Sequence, residues 1–289
     1  MRVTRELMAW YAPRARAYPW RRRPSPYRVL VSEVMLQQTQ ASRVAPAFRA
    51  FLRRFPSTRA LASAPSSDVL RAWAGLGYDR RAVRLHAAAR AIVEEHGGRV
   101  PRDPLALRAL PGVGPYTAAA VASMAFGEPV PALDVNVARV VARFRLGREP
   151  HEERPDRVRD AGEGLLDRED PGGWNQAAMD LGREVCRSRP RCEVCPLATR
   201  CAFRRAGRRP GLPPRRQGPF EGSFRQVRGR VLALLRERGR ASLGALEADI
   251  GDDRVADAVR ALVVDGLVSA GPAALAGRAS GRVCLGSGR

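Results

Sequence analysis

Four of the five cysteines fall within sixteen residues, as Cys186-x5-Cys192-x2-Cys195-x5-Cys201, with Pro196 directly after the third. Four thiols in so short a stretch restrict the local fold more than any apolar pattern elsewhere, because they must either converge on one metal centre or pair as disulfides. Met1–Arg23 contains no apolar leader, so a cytoplasmic chain with reduced thiols is expected, and a metal centre with it. The donor set suits a [4Fe–4S] cluster or a structural zinc. Zinc sites favour two close pairs. Here one close pair is flanked by single cysteines, which leans towards iron–sulfur while leaving zinc open. Arg187, Arg189 and Arg191 lie between the first two ligands, so the loop that a metal would stiffen is also a basic surface.

The charge balance points to a partner of the opposite sign. The chain carries a formal +22, and a surplus of that size marks a polyanion such as nucleic acid, whose counterions arginine displaces. All 51 basic residues are arginine. Without lysine no side-chain amine can form a Schiff base, so any mechanism through a lysine nucleophile is excluded. The 289 residues, 45% of them hydrophobic, suffice for two or three small domains with cores. No apolar run approaches the roughly eighteen residues of a membrane span.

To about residue 200 the pattern is helical. Apolar residues recur at helical spacing in 29–36, 61–76, 82–92, 117–125 and 135–144, punctuated by Pro24, Pro26, Pro56, Pro65, Gly97, Gly98, Pro129 and Pro131. Nothing there alternates as strands do, so the body reads as all-α. Residues 204–222 shift to Arg, Pro and Gly and read as a linker. Beyond it Val227, Val231, Leu234 and Leu235 share one helix face; Ser242 is placed to cap a second helix and Asp252 or Asp253 a third. Leu267-Val268 and Val283-Cys284-Leu285 are expected to pair as a hairpin, giving a small winged-helix-like domain. Its third helix carries Asp252, Asp253 and Asp257 beside Arg254 and Arg260, a poor charge balance for a major groove, so protein binding or packing is as good a role for it as DNA contact.

Three further elements carry chemistry. In Leu110-Pro111-Gly112-Val113-Gly114 the glycines permit a tight turn, and Pro115 suits the first position of a following helix, whose N–H groups can grip a phosphate. Glu33 sits inside an apolar helix that starts at Ser25-Pro26. Burial there raises a carboxyl pKa and favours the protonated form that a general acid needs, although pairing with one of the many arginines is an equally ordinary fate. Gln37, four residues on, is expected on the same face. Asp134 stands where the helix after Pro129 and Pro131 would have its N-cap, a setting that keeps a carboxylate charged. One protonated and one ionised carboxyl form the acid-and-stabiliser arrangement of glycoside cleavage. On a basic, metal-braced scaffold this suggests cleavage at a base flipped out of DNA.

Ser32-Glu33-Val34-Met35-Leu36-Gln37-Gln38-Thr39, Gly75-Leu76-Gly77-Tyr78, Leu110–Gly114, Leu133-Asp134-Val135-Asn136-Val137 and the cysteine array occur in the order found in adenine DNA glycosylases of the MutY type, and residues 5–203 resemble that family. The resemblance implies a two-domain helix-hairpin-helix glycosylase fold, with a six-helix barrel over 23–133 and an iron–sulfur cluster domain from 1–22 and 134–203. The linker over 204–222 and a winged-helix-like domain over 223–289 would follow. It implies that Glu33 protonates adenine N7, that Asp134 stabilises or bonds to the sugar cation, and that Tyr116 and Asn136 position both. Trp20, Arg21 and Gln176 would line the adenine pocket. Gln37, Gln38 and Tyr78 would work into the base stack, with Gly112, Val113 and Gly114 gripping the backbone. Cys186, Cys192, Cys195 and Cys201 would hold a [4Fe–4S] cluster. The implied partner is double-stranded DNA containing an adenine mispair, bound by a monomer at the nucleoid, with a protein partner conceivable for the C-terminal domain.

Tyr116 stands where the related endonuclease III-type enzymes carry their lyase lysine, so a monofunctional glycosylase acting on adenine opposite 8-oxoguanine or guanine is expected. Two features depart from the family pattern. The first cysteine spacer has five residues where six are common, and residues 223–289 are too few for the Nudix-like domain that inspects 8-oxoguanine. A thymine or uracil mismatch glycosylase of the same superfamily is the second reading; a pyrimidine has no N7, which leaves an acid at Glu33 without a task. The third is a non-catalytic iron–sulfur regulator bound to DNA.

Overall fold

The computed structural model describes residues 2–22, 24–208 and 218–286; residues 209–217 of the expected linker lie outside them. Along the chain run α1 (Arg2–Tyr11), α2 (Pro26–Leu36), α3 (Ala41–Arg54), α4 (Thr58–Ala62), α5 (Ser66–Ala72), α6 (Arg80–His96), α7 (Pro104–Ala109) and α8 (Pro115–Phe126). Then come α9 (Val135–Val141), α10 (Pro155–Glu163), α11 (Pro171–Glu184), α12 (Ala202–Arg205), α13 (Phe224–Arg238), β1 (Arg240–Ser242), α14 (Leu243–Ile250), α15 (Val255–Val264), β2 (Val268–Ala270), α16 (Pro272–Leu275) and β3 (Arg282–Leu285). No described helix is long and apolar enough to cross a membrane. The chain divides into two compact units, one formed by residues 1–34 and 100–215, the other by 35–99 and 216–289. Residues 100–133, assigned to the barrel on sequence, group here with the segment that follows them, because α8 packs along α11.

In the first unit α11 is the organising element. Asp170 caps it by accepting from Gly173 N at 2.8 Å, Pro171 opens it, and Trp174, Ala177, Ala178 and Leu181 form its buried stripe. Asn175, fully buried on this helix, accepts from Ala132 N at 2.7 Å. It donates to Val130 O at 3.0 Å and Pro171 O at 2.9 Å. It thereby fixes the extended segment that delivers Asp134. Gly182 lets α11 meet α9: a Cβ there would lie 2.7 Å from the Asn136 Cβ and carbonyl oxygen. Helix α9 continues into a π-helical turn over Ala142–Leu146, where the periodicity alone predicts an unbroken helix to Phe144.

The second unit has a core of Phe48, Phe51, Leu61, Leu70, Trp73, Leu85 and Ile92. The apolar stretch 61–76 is interrupted by Pro65, so it forms the end of α4 and then α5. In the C-terminal part of this unit Ser242 caps α14 as expected, accepting from Ala245 N at 3.2 Å. Helix α15 has no side-chain cap, since the Asp252 carboxylate is taken by the Arg254 main chain and guanidinium. Leu232, not Leu234, joins the buried face of α13. The expected hairpin pairing exists, Val268 opposite Leu285, but β1 adds a third strand in the antiparallel order β1-β3-β2 and α16 intervenes before β3. Four helices, α13 to α16, and this three-stranded sheet make up a small C-terminal subdomain.

Two turns of this unit are drawn together by Arg81, which is 8% exposed. Its guanidinium donates to the carbonyls of Met35 at 2.8 Å, Leu76 at 3.2 Å and Gly77 at 2.8 Å, to Thr39 Oγ1 at 2.9 Å and to the Gln37 carbonyl; Nε reaches Tyr78 O at 3.3 Å. The rings of Trp73 and Tyr78 lie 5.4 and 5.5 Å from its charged centre. Gln38 (φ 55°) and Tyr78 (φ 47°) are the two non-glycine residues with positive φ among the described residues, and each turn held by Arg81 contains one. That conformation costs about 1–2 kcal/mol per residue, so the surroundings must enforce it. Arg81→Met would fill the stem's space but leave several buried carbonyls without a donor. We expect a loss of about 2–4 kcal/mol, read as a lower urea midpoint at unchanged slope; an unshifted midpoint would show that water replaces the guanidinium.

Candidate active site

Helix α2 starts as its sequence requires, with Val29 N donating to Ser25 O at 2.9 Å. Val29, Leu30, Val31, Val34 and Met35 are all buried, so Glu33 lies in a helix without a wet face at this point and is itself 5% exposed. Desolvation is the main cause that raises its pKa, to about 7, and the charge of Asp134 adds to it. The Tyr116 hydrogen bond and the Arg21 charge pull the other way. The Tyr116 hydroxyl donates to Glu33 Oε2 at 2.5 Å and lies 3.9 Å from Met179 Sδ. Burial pushes the Tyr116 phenol well above its ordinary range, so it remains a donor.

Asp134 is the N-cap of α9. Its Oδ1 accepts from Asn136 N at 2.9 Å and Val137 N at 2.7 Å, and Oδ2 accepts from Asn136 Nδ2 at 2.8 Å. These three donors meet both carboxyl oxygens at the positive end of a helix. The cap and the second carboxyl of the expected pair are one residue. Asn136 is held in turn by Arg139, whose Nη2 donates to its Oδ1 at 2.8 Å and to Gly182 O at 2.8 Å. Glu33, Tyr116, Asp134 and Asn136 thus belong to the same compact unit, with both carboxyls within electrostatic reach of each other.

Trp20, Arg21 and Gln176 join one cluster of that unit. Arg21 forms a two-pronged pair with Asp180 at 3.0 and 3.1 Å, and lies over the rings of Tyr11 and Tyr18. Trp20 stacks on Tyr18 at 4.8 Å, while Tyr11 donates to Gln176 Oε1 at 3.0 Å. Arg21 is therefore a neutralised, fixed cation rather than a free one. In the hairpin between α7 and α8, Gly112 takes φ +76° and Gly114 caps α8 ahead of Pro115. Both glycines are exposed. The Val113 side chain is buried and its N–H donates to Leu110 O at 3.1 Å, so Val113 anchors the turn from inside.

Gln37 departs from its expected place. Helix α2 ends at Leu36, so Gln37 lies in the turn that follows; Arg81 donates to the carbonyls of Met35 and Gln37 there, and the chain turns through Gln38. Gln37, Gln38 and Tyr78 belong to the second unit, where Arg81 joins their two turns. Tyr78 is 51% exposed, an unusual state for an aromatic ring with a constrained backbone.

Cys186, Cys192, Cys195 and Cys201 line one cavity together with Arg143, Val185 and Phe203. Among the described residues, no three His, Cys, Asp or Glu side chains gather so as to hold a single ion; the thiols surround a cavity instead of meeting at a point. Arg143, on the π-helical turn, pairs with Glu149 at 2.7 Å, donates to Arg187 O at 2.6 Å, and points Nη1 at Cys186 Sγ, 3.7 Å away. Burial pushes the Cys195 thiol up to about 11 and raises Cys186 and Cys192. A bound metal would reverse that preference by taking the thiolate form. Arg187, Arg189 and Arg191 are exposed on the loop.

Sequence reasoning missed Tyr11, Asn175, Asp180, Arg139 and Arg143. For Asp180, Arg139 and Arg143 a signal existed. Each is a charge inside an apolar helical stripe, the same pattern that singled out Glu33.

Residues 31–164 match the HhH-GPD superfamily of base excision DNA repair proteins. The chain is 48% identical over 236 residues to the adenine DNA glycosylase of Mycobacterium tuberculosis (strain CDC 1551 / Oshkosh), covering 80% of this chain and 77% of that protein. It is 43% identical over 274 residues to the adenine DNA glycosylase of Mycolicibacterium smegmatis (strain ATCC 700084 / mc(2)155), covering 91% of each. Among solved structures it is similar to a thermostable thymine-DNA glycosylase, with a TM-score of 0.66 at 28% identity over 70% of this chain and 95% of that one. With this extent of likeness to curated relatives, the chain belongs to the HhH-GPD superfamily of base excision DNA repair proteins and, within it, to the adenine DNA glycosylases.

Proposed function

We propose that this glycosylase removes adenine standing opposite 8-oxoguanine or guanine in double-stranded DNA, with Glu33 as the acid and Asp134 as the stabiliser of the sugar cation. The observation that carries the reading is the pairing, in one compact unit, of a water-shielded carboxyl whose pKa reaches about 7 with a second carboxyl that accepts two main-chain hydrogen bonds at a helix start. Glu33 gives its proton to adenine N7. The bond between N9 and C1′ breaks, its electron pair leaves with the base, and the positive charge that develops on the sugar faces Asp134. Asp134 stabilises that charge or bonds to C1′, and water completes the hydrolysis while its proton returns to Glu33. Tyr116 orients Glu33 through its hydroxyl, and Asn136 orients Asp134.

Trp20, Arg21 and Gln176 are proposed to border the adenine, with Arg21 lending its charge to the balance at Glu33. Gly112 and Gly114 in the exposed hairpin suit a phosphate, and Gln37, Gln38 and Tyr78 suit the base stack. The four cysteines around one cavity, with Arg143 directed at Cys186 Sγ, fit a [4Fe–4S] cluster. When bound, such a group would cross-link the loop through its four thiolates, and Arg187, Arg189 and Arg191 would present charge to the DNA. The +22 surplus is consistent with a chain that stays on the nucleoid.

Labelled base release from duplexes pairing adenine with 8-oxoguanine, guanine or cytosine, and thymine with guanine, tests the assignment. Release of adenine opposite the two purines is expected; release of thymine alone would favour the pyrimidine reading. Glu33→Gln should abolish release while duplex affinity persists. The wild-type single-turnover rate should fall as pH rises through about 7, because only protonated Glu33 can donate.

The same raised pKa has a stability cost. With its folded pKa above the ordinary 4.5, the carboxyl destabilises the fold progressively as pH rises from 4.5 to about 7, and fully beyond it. Glu33→Gln should therefore be more stable than wild type at pH 8, by about 3 kcal/mol, and equal to it at pH 4, as urea unfolding at the two values will show. For the metal site, protein purified without oxygen should show broad visible absorption and four irons per chain, a stoichiometry proposed from the four ligands. A colourless protein that contains zinc would overturn the cluster assignment.

A further inference from the structure

The Gly75–Arg81 turn holds Tyr78 exposed, at a φ of 47° that its own backbone resists. Arg81 grips this turn from inside. A second arginine grips it from the C-terminal subdomain of the same unit. Arg236 on α13 places Nη2 2.6 Å from Asp79 Oδ1, in an ion pair whose side chains are 17% and 14% exposed. Asp79 occupies the N-cap position of α6, yet its carboxylate makes no capping hydrogen bond there and is spent on Arg236 instead. The contact is anchored on both flanks. Arg236 Nε donates to Leu70 O at 3.1 Å, and Arg71 Nε returns a bond to Arg236 O at 3.2 Å. Arg80, next along the turn, pairs with Asp265 at 3.3 Å. At the end of β3, Gly286 approaches α5 so closely that a Cβ would come within 2.5 Å of Ser66 Oγ.

The subdomain's own charges leave little for DNA at the helix that would enter a groove. Arg254 pairs with Asp252 at 2.7 Å and Arg260 with Asp257 at 2.6 Å, so the basic groups of α15 are neutralised within it. Its linked surface is the one against α5 and the Tyr78 turn.

We infer that the C-terminal subdomain is a buttress for the Tyr78 turn, with Arg236 acting through Asp79 as a positioning residue for base extrusion. The inference rests on the proposed role of Tyr78 in the base stack. Holding Tyr78 against its own strain lets the ring enter the stack without first ordering the turn, and misplacing such an element is costly to the rate. Removing one partner of a largely buried pair leaves the other charge uncompensated, so the turn relaxes.

The test uses the full chain with Arg236→Gln, Asp79→Asn and the double variant, and Arg238→Gln as the control; Arg238 pairs with exposed Asp249 inside the subdomain. Two readouts are taken at saturating enzyme. One is single-turnover release of adenine opposite 8-oxoguanine. The other is the fluorescence of 2-aminopurine placed beside the 8-oxoguanine, which brightens when the stack opens. Each single variant should slow release by about tenfold and dim the fluorescence, as expected for a misplaced positioning group. The double variant should lose no more than either single one, since both break one interaction. Arg238→Gln should match wild type. Full fluorescence and rate in folded Arg236→Gln would overturn the inference, as would additive losses, or weakened DNA affinity with normal fluorescence at saturation. Should Arg236→Gln fail to fold, the near-isosteric Asp79→Asn decides the matter by the same readouts. A wild-type protein that releases no adenine would instead refute the proposed function itself.

Discussion

A carboxyl group surrendered to an apolar helix keeps its proton longer than one in water, and the rest of the first unit is arranged around that fact. The helix neighbours of Glu33, Val29, Leu30, Val31, Val34 and Met35, are all buried and Glu33 is itself 5% exposed, so water has little access to its charge. The Tyr116 hydroxyl moderates the effect by donating to Oε2, and the pKa stands at about 7. An acid with a much higher pKa would hold its proton too firmly, and one with an ordinary pKa would have none to give. Asp134 is placed differently. It accepts from two main-chain N–H groups at a helix start and from Asn136 Nδ2, whereas Glu33 accepts from the Tyr116 hydroxyl. The two environments differ because one residue sits in mid-helix and the other at a helix start.

That division persists only if the segments carrying the two groups cannot drift. Asn175 and Gly182 of α11 secure the Asp134 side. The first bonds the extended stretch ahead of Asp134; the second lets α11 lie against Asn136. In the second unit Arg81 performs a similar service for two strained turns. In each case a buried polar side chain satisfies backbone groups that no helix or strand accommodates, which is the condition for irregular chain inside a protein.

What was legible in the sequence follows from this. Glu33, Asp134 and the cysteines announced themselves because each stands against its local pattern: a charge among apolar residues, a capping residue after two prolines, four thiols in one loop. The all-helical body was legible from its periodicity. The third strand of the subdomain was not, since β1 is three residues long and pairs with β3 far along the chain, leaving no local alternation to read. Gln37 was misplaced for a related reason. Its spacing from Glu33 fits a helix, but the helix ends at Leu36, and the turn beyond it is held by Arg81, more than forty residues away. Arg236 and Asp79 carry no signal at all, because their meaning lies in a contact between distant segments.

The arginine-only composition takes on a second meaning in this light. A net charge of +22 invites the view that every basic side chain is there for phosphate. Yet Arg21, Arg81, Arg139, Arg143 and Arg236 are turned inward or into ion pairs, each making two or more hydrogen bonds with one rigid fork. Lysine could supply the charge at these places but not the planar set of five donors. The chain therefore uses one residue type for two tasks that depend on opposite properties. Exposed guanidinium groups such as those of Arg187, Arg189 and Arg191 act through charge, which salt screens. Buried ones act through hydrogen-bond geometry, which salt hardly touches. A rise in ionic strength should thus loosen the hold on DNA long before it disturbs the turns and the carboxyls that the buried arginines keep in place.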